Sequence, residues 1–120
     1  MVKLIIKICI VLSLLDAQVF EGMTLFSPTT LEADTVFKTF LVDNNFNQIN
    51  VWFHHKGAAG TPYLLDDSTL VYIYRVDNPT MLSGGVGGGF IKYSWYGDIL
   101  WQFELSNQMY QHHHDIQPLP

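Results

Sequence analysis

The sequence predicts an all-β fold: a partial β-propeller of about one and a half blades of four-stranded antiparallel sheet, after an N-terminal signal segment. Three observations carry this reading. Short runs rich in Val, Ile, Phe, Tyr and Trp alternate with clusters of Gly, Asn, Asp and Pro, the rhythm of strands and turns. The strands pair off as hairpins around tight turns. Two of those hairpins also look like copies. A shift of 51 residues lays Phe40 on Ile91, Val42 on Tyr93, Ile49 on Leu100 and Trp52 on Phe103, with the turns coincident. Four short strands recurring about every fifty residues is the period of a propeller blade. An antiparallel sandwich of three hairpins is the competing architecture.

Length and charge narrow the function. A chain of 120 residues holds one domain, and 48% apolar content is that of a globular protein. Residues 1–18 read as a signal peptide. Lys3 and Lys7 supply the positive start, Ile8 to Leu15 the apolar run, and Ala17 a small residue before cleavage. The run is too short to span a bilayer, so no stable membrane anchor is expected and the destination is secreted or periplasmic. Residues 19–120 form the domain. Cys9 is lost with the leader, which excludes disulfides and cysteine chemistry. The formal charge of −5, with Lys38, Lys56, Arg75 and Lys92 the basic residues left, argues against nucleic acid.

Thr24-Leu25-Phe26 is a short apolar entry closed by Pro28. Leu31, Asp34 and Phe37 fall at helical spacing, but Val36–Val42 is rich in β-formers and reads as a strand. Asp43–Asn47 is an Asx-rich turn, and Ile49, Val51 and Phe53 alternate with Asn50, Trp52 and His54 in the returning strand. His54-His55 reads as a polar strand end. After a loop at Gly57–Pro62, Tyr63–Leu65 and Leu70–Val76 flank a turn at Asp66-Asp67-Ser68. Leu70–Val76 is apolar on both faces, as in a strand buried between sheets. Ser83–Gly89 is glycine-rich but lacks the lysine and spacing of a phosphate cradle. Phe90–Trp95 and Ile99–Leu105 enclose a turn at Tyr96-Gly97-Asp98. The second of them reads as half-exposed, with Ile99, Trp101, Phe103 and Leu105 on its apolar side.

The run His112-His113-His114-Asp115 is the strongest chemical signal, since histidine titrates near neutrality unaided. On the propeller reading it opens the innermost strand of the next blade, with His112 and His114 on one face and His113 on the other with Asp115. Two histidines and a distant carboxylate leave zinc under-coordinated, so no metal is expected. Solvated histidines at a frayed terminus are the bland reading. There is no G-x-S-x-G to support a hydrolase triad.

The chain carries Gly22-Met23-Thr24-Leu25-Phe26-Ser27-Pro28, Leu41-Val42-Asp43-Asn44 with Trp52, Tyr63-Leu64-Leu65-Asp66-Asp67, and Arg75 with Asn78-Pro79-Thr80. It continues with Gly84-Gly85-Val86-Gly87-Gly88, Trp95-Tyr96-Gly97-Asp98 and Trp101, then His113-His114-Asp115-Ile116 and Pro118-Leu119-Pro120. This order resembles the amino-terminal part of the bacterial-type arylsulfotransferases over nearly all of the chain after the leader; His112 is extra to the usual His-His-Asp-Ile. The resemblance implies an exported six-bladed propeller that moves a sulfuryl group from an aryl sulfate to a phenol through a sulfated histidine, without a nucleotide donor or other cofactor. Family members run to several hundred residues, and the histidine that carries the sulfate lies on a later blade. The resemblance therefore implies an N-terminal portion inactive alone. On it, His114 and then His113 are the catalytic candidates. Arg75 would hold sulfate oxygens, or else form an inter-strand salt bridge, and Asp115 would fix a histidine tautomer. The expected partners are small aromatic sulfates and phenols, together with the missing blades or another copy paired through exposed sheet edges. A small secreted β-rich binding or remnant module without turnover is the alternative.

Overall fold

The computed structural model describes residues 20–28 and 36–119, so the signal segment lies outside the described residues. Seven strands follow in order: β1 (Met23–Phe26), β2 (Phe37–Asp43), β3 (Gln48–His54), β4 (Tyr63–Leu64), β5 (Leu70–Arg75), β6 (Gly88–Tyr93) and β7 (Ile99–Glu104). They form two antiparallel sheets in sequential order, β1-β2-β3 and β4-β5-β6-β7. Among the described residues there is no helix.

One device closes all three tight turns: an acceptor side chain gathers the backbone N–H groups that the turn strips from the ladder. In β2–β3, Asp43 Oδ1 accepts from the N–H of Asn45 (2.8 Å) and of Asn47 (2.9 Å), with Phe46 at φ 62°. In β4–β5, Asp67 accepts from the backbone N–H and hydroxyl of Thr69. In β6–β7, Ser94 Oγ accepts from the N–H of Tyr96 and Asp98 while donating to the Asp98 carboxylate, and Gly97 supplies φ 93°. The duplication read from the sequence is visible in the backbone. A register shift interrupts β2 between Leu41 and Val42 and β6 between Lys92 and Tyr93, positions related by the same 51-residue shift.

The sheets pack face to face. Leu41, Thr39, Trp52 and His54 point from the first sheet onto Leu70, Tyr72, Ile91 and Tyr93 of the second, and all eight are buried. Trp52 is fully enclosed; its Nε1–H donates to the Ser94 carbonyl at 2.9 Å and its ring meets Trp95 edge-on at 5.6 Å. Burial of each such large side chain contributes about 2–3 kcal/mol. Strand β5 is buried from Leu70 to Tyr74, as its two apolar faces require. Its β4 edge is extended by the linker, where Ala59 N–H donates to Ile73 O and Gly57 O accepts from Arg75 N–H, both at 3.0 Å.

Two expectations need correction. All six residues of β7 are exposed rather than half of them, because it is an edge strand and no described residue lies over Ile99 and Trp101. His54 is not a polar strand end: it is 1% exposed and stacks on Tyr72 with ring centroids 3.6 Å apart. The alternation of β3 puts position 54 on the same side as Trp52, so the histidine goes into the core with it.

Candidate functional site

The histidine run is delivered by a sharp reversal after β7. Asn107 Oδ1 accepts from the N–H of Met109 (2.9 Å) and Tyr110 (2.8 Å), Gln111 bridges back to Ser106, and His112 N–H donates to Leu105 O at 2.8 Å. Beyond His112 the chain leaves the ladder and forms no strand. It crosses a saddle of glycines instead. A Cβ at Gly60 or Gly87 would strike the His114 or His113 backbone, and one at Gly85 would strike both of their imidazoles. This gives the glycine-rich segment its physical role, a surface flat enough for another backbone to lie on. Freed from strand alternation, His113 and His114 sit side by side with ring centroids 4.2 Å apart, while His112 turns away onto Phe90 at 5.2 Å. The opposite-face arrangement expected of a strand is not found.

This crossing forms one wall of a cleft of about 1210 Å³. Arg75, at the end of β5, lines it together with His55, Lys56, His114 and Asp115, while Phe26, Phe37 and Val86 add apolar wall. Three of the four site residues read from the sequence thus converge; His113 stands behind His114 and is exposed. Arg75 has no carboxylate at ion-pair distance among the described residues, so the inter-strand salt bridge is not formed there. Asp115 does not hold a histidine tautomer. Its Oδ1 accepts from the Tyr63 hydroxyl at 2.9 Å and from the Ile116 N–H, which pins the tail to β4. That bond raises the Tyr63 pKa, since ionising the phenol would break it beside a carboxylate.

Two polar groupings escaped the sequence reading. Lys56 reaches Glu104 at 3.2 Å and Asp77 at 3.5 Å, and its ammonium lies 4.9 Å from the Tyr74 ring centre. Burial works against that ammonium, but the two carboxylates hold its pKa above the ordinary lysine value. Its charge is largely answered, which leaves Arg75 as the free cation of the described cleft wall. The second is a chain from the cleft rim into the core: Ser27 Oγ lies 2.7 Å from Thr39 Oγ1, which lies 2.8 Å from His54 Nε2. His54 Nδ1 is buried without a partner. The tautomer with Nε2–H donating to Thr39 leaves only a lone pair unmet, less costly than an orphaned N–H. Burial, with His55 next to it, lowers the His54 pKa to about 4. Neither grouping has a local signature, because its members come from different strands.

Among the described residues no three His, Cys, Asp or Glu side chains are grouped to hold a metal ion. Comparison with protein-family models, curated proteins and solved structures returns no match. The geometry itself suits an oxyanion attached to an apolar ring, with imidazole donors, and a guanidinium that has no ion-pair partner among the described residues, above an aromatic wall.

Proposed function

We propose that the chain is the opening part of an exported β-propeller that handles sulfuryl transfer between phenols, the two sheets being its first blades and the described cleft part of its substrate site. The observation that carries this is the convergence of Arg75, His114 and Asp115 on one cleft although they are spread over forty residues of sequence. The sequential meander order of both sheets supports the blade reading, as does the equivalent bulge in the two hairpins.

Sulfuryl transfer requires a nucleophile's lone pair to attack sulfur as the ester S–O bond breaks, with donors around the oxygens where charge spreads and an acid for the departing phenolate. In the family resembled, the attacking histidine belongs to a later blade. The residues of this chain then serve recognition and charge. Arg75 takes a pair of sulfate oxygens, His114 donates a ring N–H to a third, and His113 packs behind to fix the His114 ring. Asp115 anchors the tail through Tyr63 rather than meeting substrate.

Calorimetric titration with 4-nitrophenyl sulfate tests the reading. Binding is expected, weakened about tenfold or more in Arg75→Ala and in His114→Ala, since a charged hydrogen bond is worth about 1.5–3 kcal/mol. No phenol release is expected from this chain alone, with or without an acceptor phenol. Binding unchanged by both substitutions would remove the cleft from the proposal, and turnover by the isolated chain would remove the division of labour.

A further inference from the structure

The hydrogen-bonded chain Ser27–Thr39–His54 has a direction, and the direction decides what its outer end can do. His54 is held between rings, stacked on Tyr72 with centroids 3.6 Å apart and tilted against Tyr93 at 5.1 Å. Its Nδ1 is buried without a partner, and the Tyr72 hydroxyl is already donated to Lys56 O at 2.8 Å. A proton on Nδ1 would be an orphaned donor, so the proton sits on Nε2 and is donated to Thr39 Oγ1 at 2.8 Å. Thr39, fully buried, has accepted that proton and turns its own O–H to Ser27 Oγ at 2.7 Å. Ser27 Oγ therefore accepts, and its proton is unspent: among the described residues it has no other hydrogen-bond partner. The register that pairs Leu25 with Leu41 and Phe26 with Phe40 continues to set Ser27 opposite Thr39. There Ser27 is half-buried and lines the cleft.

We infer that Ser27 is a further substrate-binding residue of the cleft, its Oγ–H presented to the ligand's oxyanion because buried His54, acting through Thr39, fixes which way each hydrogen bond of the chain runs. His54 and Thr39 are positioning residues that never meet the ligand. A hydroxyl whose direction is set before binding loses less freedom on binding than a free rotor. It adds a neutral donor to the charge that Arg75 brings to the same cleft. Such a donor favours a group with no proton of its own to give, as a sulfate ester is at neutral pH. The inference rests on the reading of the cleft as an oxyanion site and names one more residue of it.

Two measurements test it. Nuclear magnetic resonance of the ring nitrogens in the unliganded chain reads the direction. His54 is expected to carry its proton on Nε2 at neutral pH, with Nδ1 bare. A proton on Nδ1 would reverse the chain, commit the Ser27 proton to Thr39 and overturn the inference. Calorimetric titration with 4-nitrophenyl sulfate reads the consequence. Ser27→Ala is expected to weaken binding about tenfold, since a hydrogen bond to a charged group is the stronger kind. Ser27→Thr, which keeps the hydroxyl, is expected to bind like the wild type. Thr39→Val is expected to show a smaller loss than Ser27→Ala, and Thr39→Ser none. A loss in Ser27→Thr equal to that in Ser27→Ala would assign the effect to shape and overturn the inference. Wild-type affinity in Ser27→Ala, beside weakened binding in Arg75→Ala, overturns it while the reading of the cleft stands. No binding by the wild-type chain removes that reading and the inference with it.

Discussion

The two histidine pairs place the same side chain in opposite settings. His54 is sealed between the sheets, stacked on Tyr72 and bonded to Thr39, and its pKa lies near 4. His113 and His114 lie across glycines at the rim of a cleft, one exposed and one half-buried. Adjacency in sequence predicts neither setting. Strand alternation buries one histidine beside Trp52, and escape from alternation puts two imidazoles side by side. His54 has become a fold element while its neighbour His55 faces the cleft, as does His114 of the glycine crossing.

The contrast breaks most visibly through the partner of each pair. Tyr72→Ala removes the plate under His54 and is expected to cost about 3–5 kcal/mol, read as a lowered denaturation midpoint. Acid is the next largest effect. An unfolded histidine titrates near 6.5 and folded His54 near 4, so the unfolded chain takes up its proton first as pH falls. Stability is therefore expected to drop by about 3 kcal/mol between pH 6.5 and 4 and to level off below, a slope that His54→Phe flattens. Asp67, held down to about 2 first by the Thr69 hydrogen bonds and then by Lys92, contributes stability that is lost only below about pH 4, outside that window. Gly85→Ala pushes a methyl into both imidazoles of the second pair. It is expected to cost about 1–2 kcal/mol while abolishing aryl sulfate binding, which separates the saddle's seating role from its share in stability. His113→Ala, a change at an exposed site, is expected to leave stability within about 0.5 kcal/mol.

The strands, turns and duplicated hairpin were legible because each is written locally, in two-residue alternation and in Asx, Ser and Gly turn chemistry. Boundaries moved where glycine was involved: Gly88 and Gly89 belong to β6, pressed against Val76 and Tyr74, though a glycine run reads as loop. Arg75, His114 and Asp115 were legible as residue types, and their convergence awaited the fold. The Lys56–Glu104–Asp77 group and the Ser27–Thr39–His54 chain were not legible, because both are assembled across strands by packing. Asp115 was misread because its partner, Tyr63, lies fifty-two residues away in sequence.

Nuclear magnetic resonance of the imidazoles during titration with 4-nitrophenyl sulfate tests the central claim most directly. The His114 ring resonances are expected to shift with saturation, His113 to follow weakly and His54 to stay fixed, with the His114 response lost in Arg75→Ala. A titration in which His114 does not move, or moves equally without Arg75, would contradict the account.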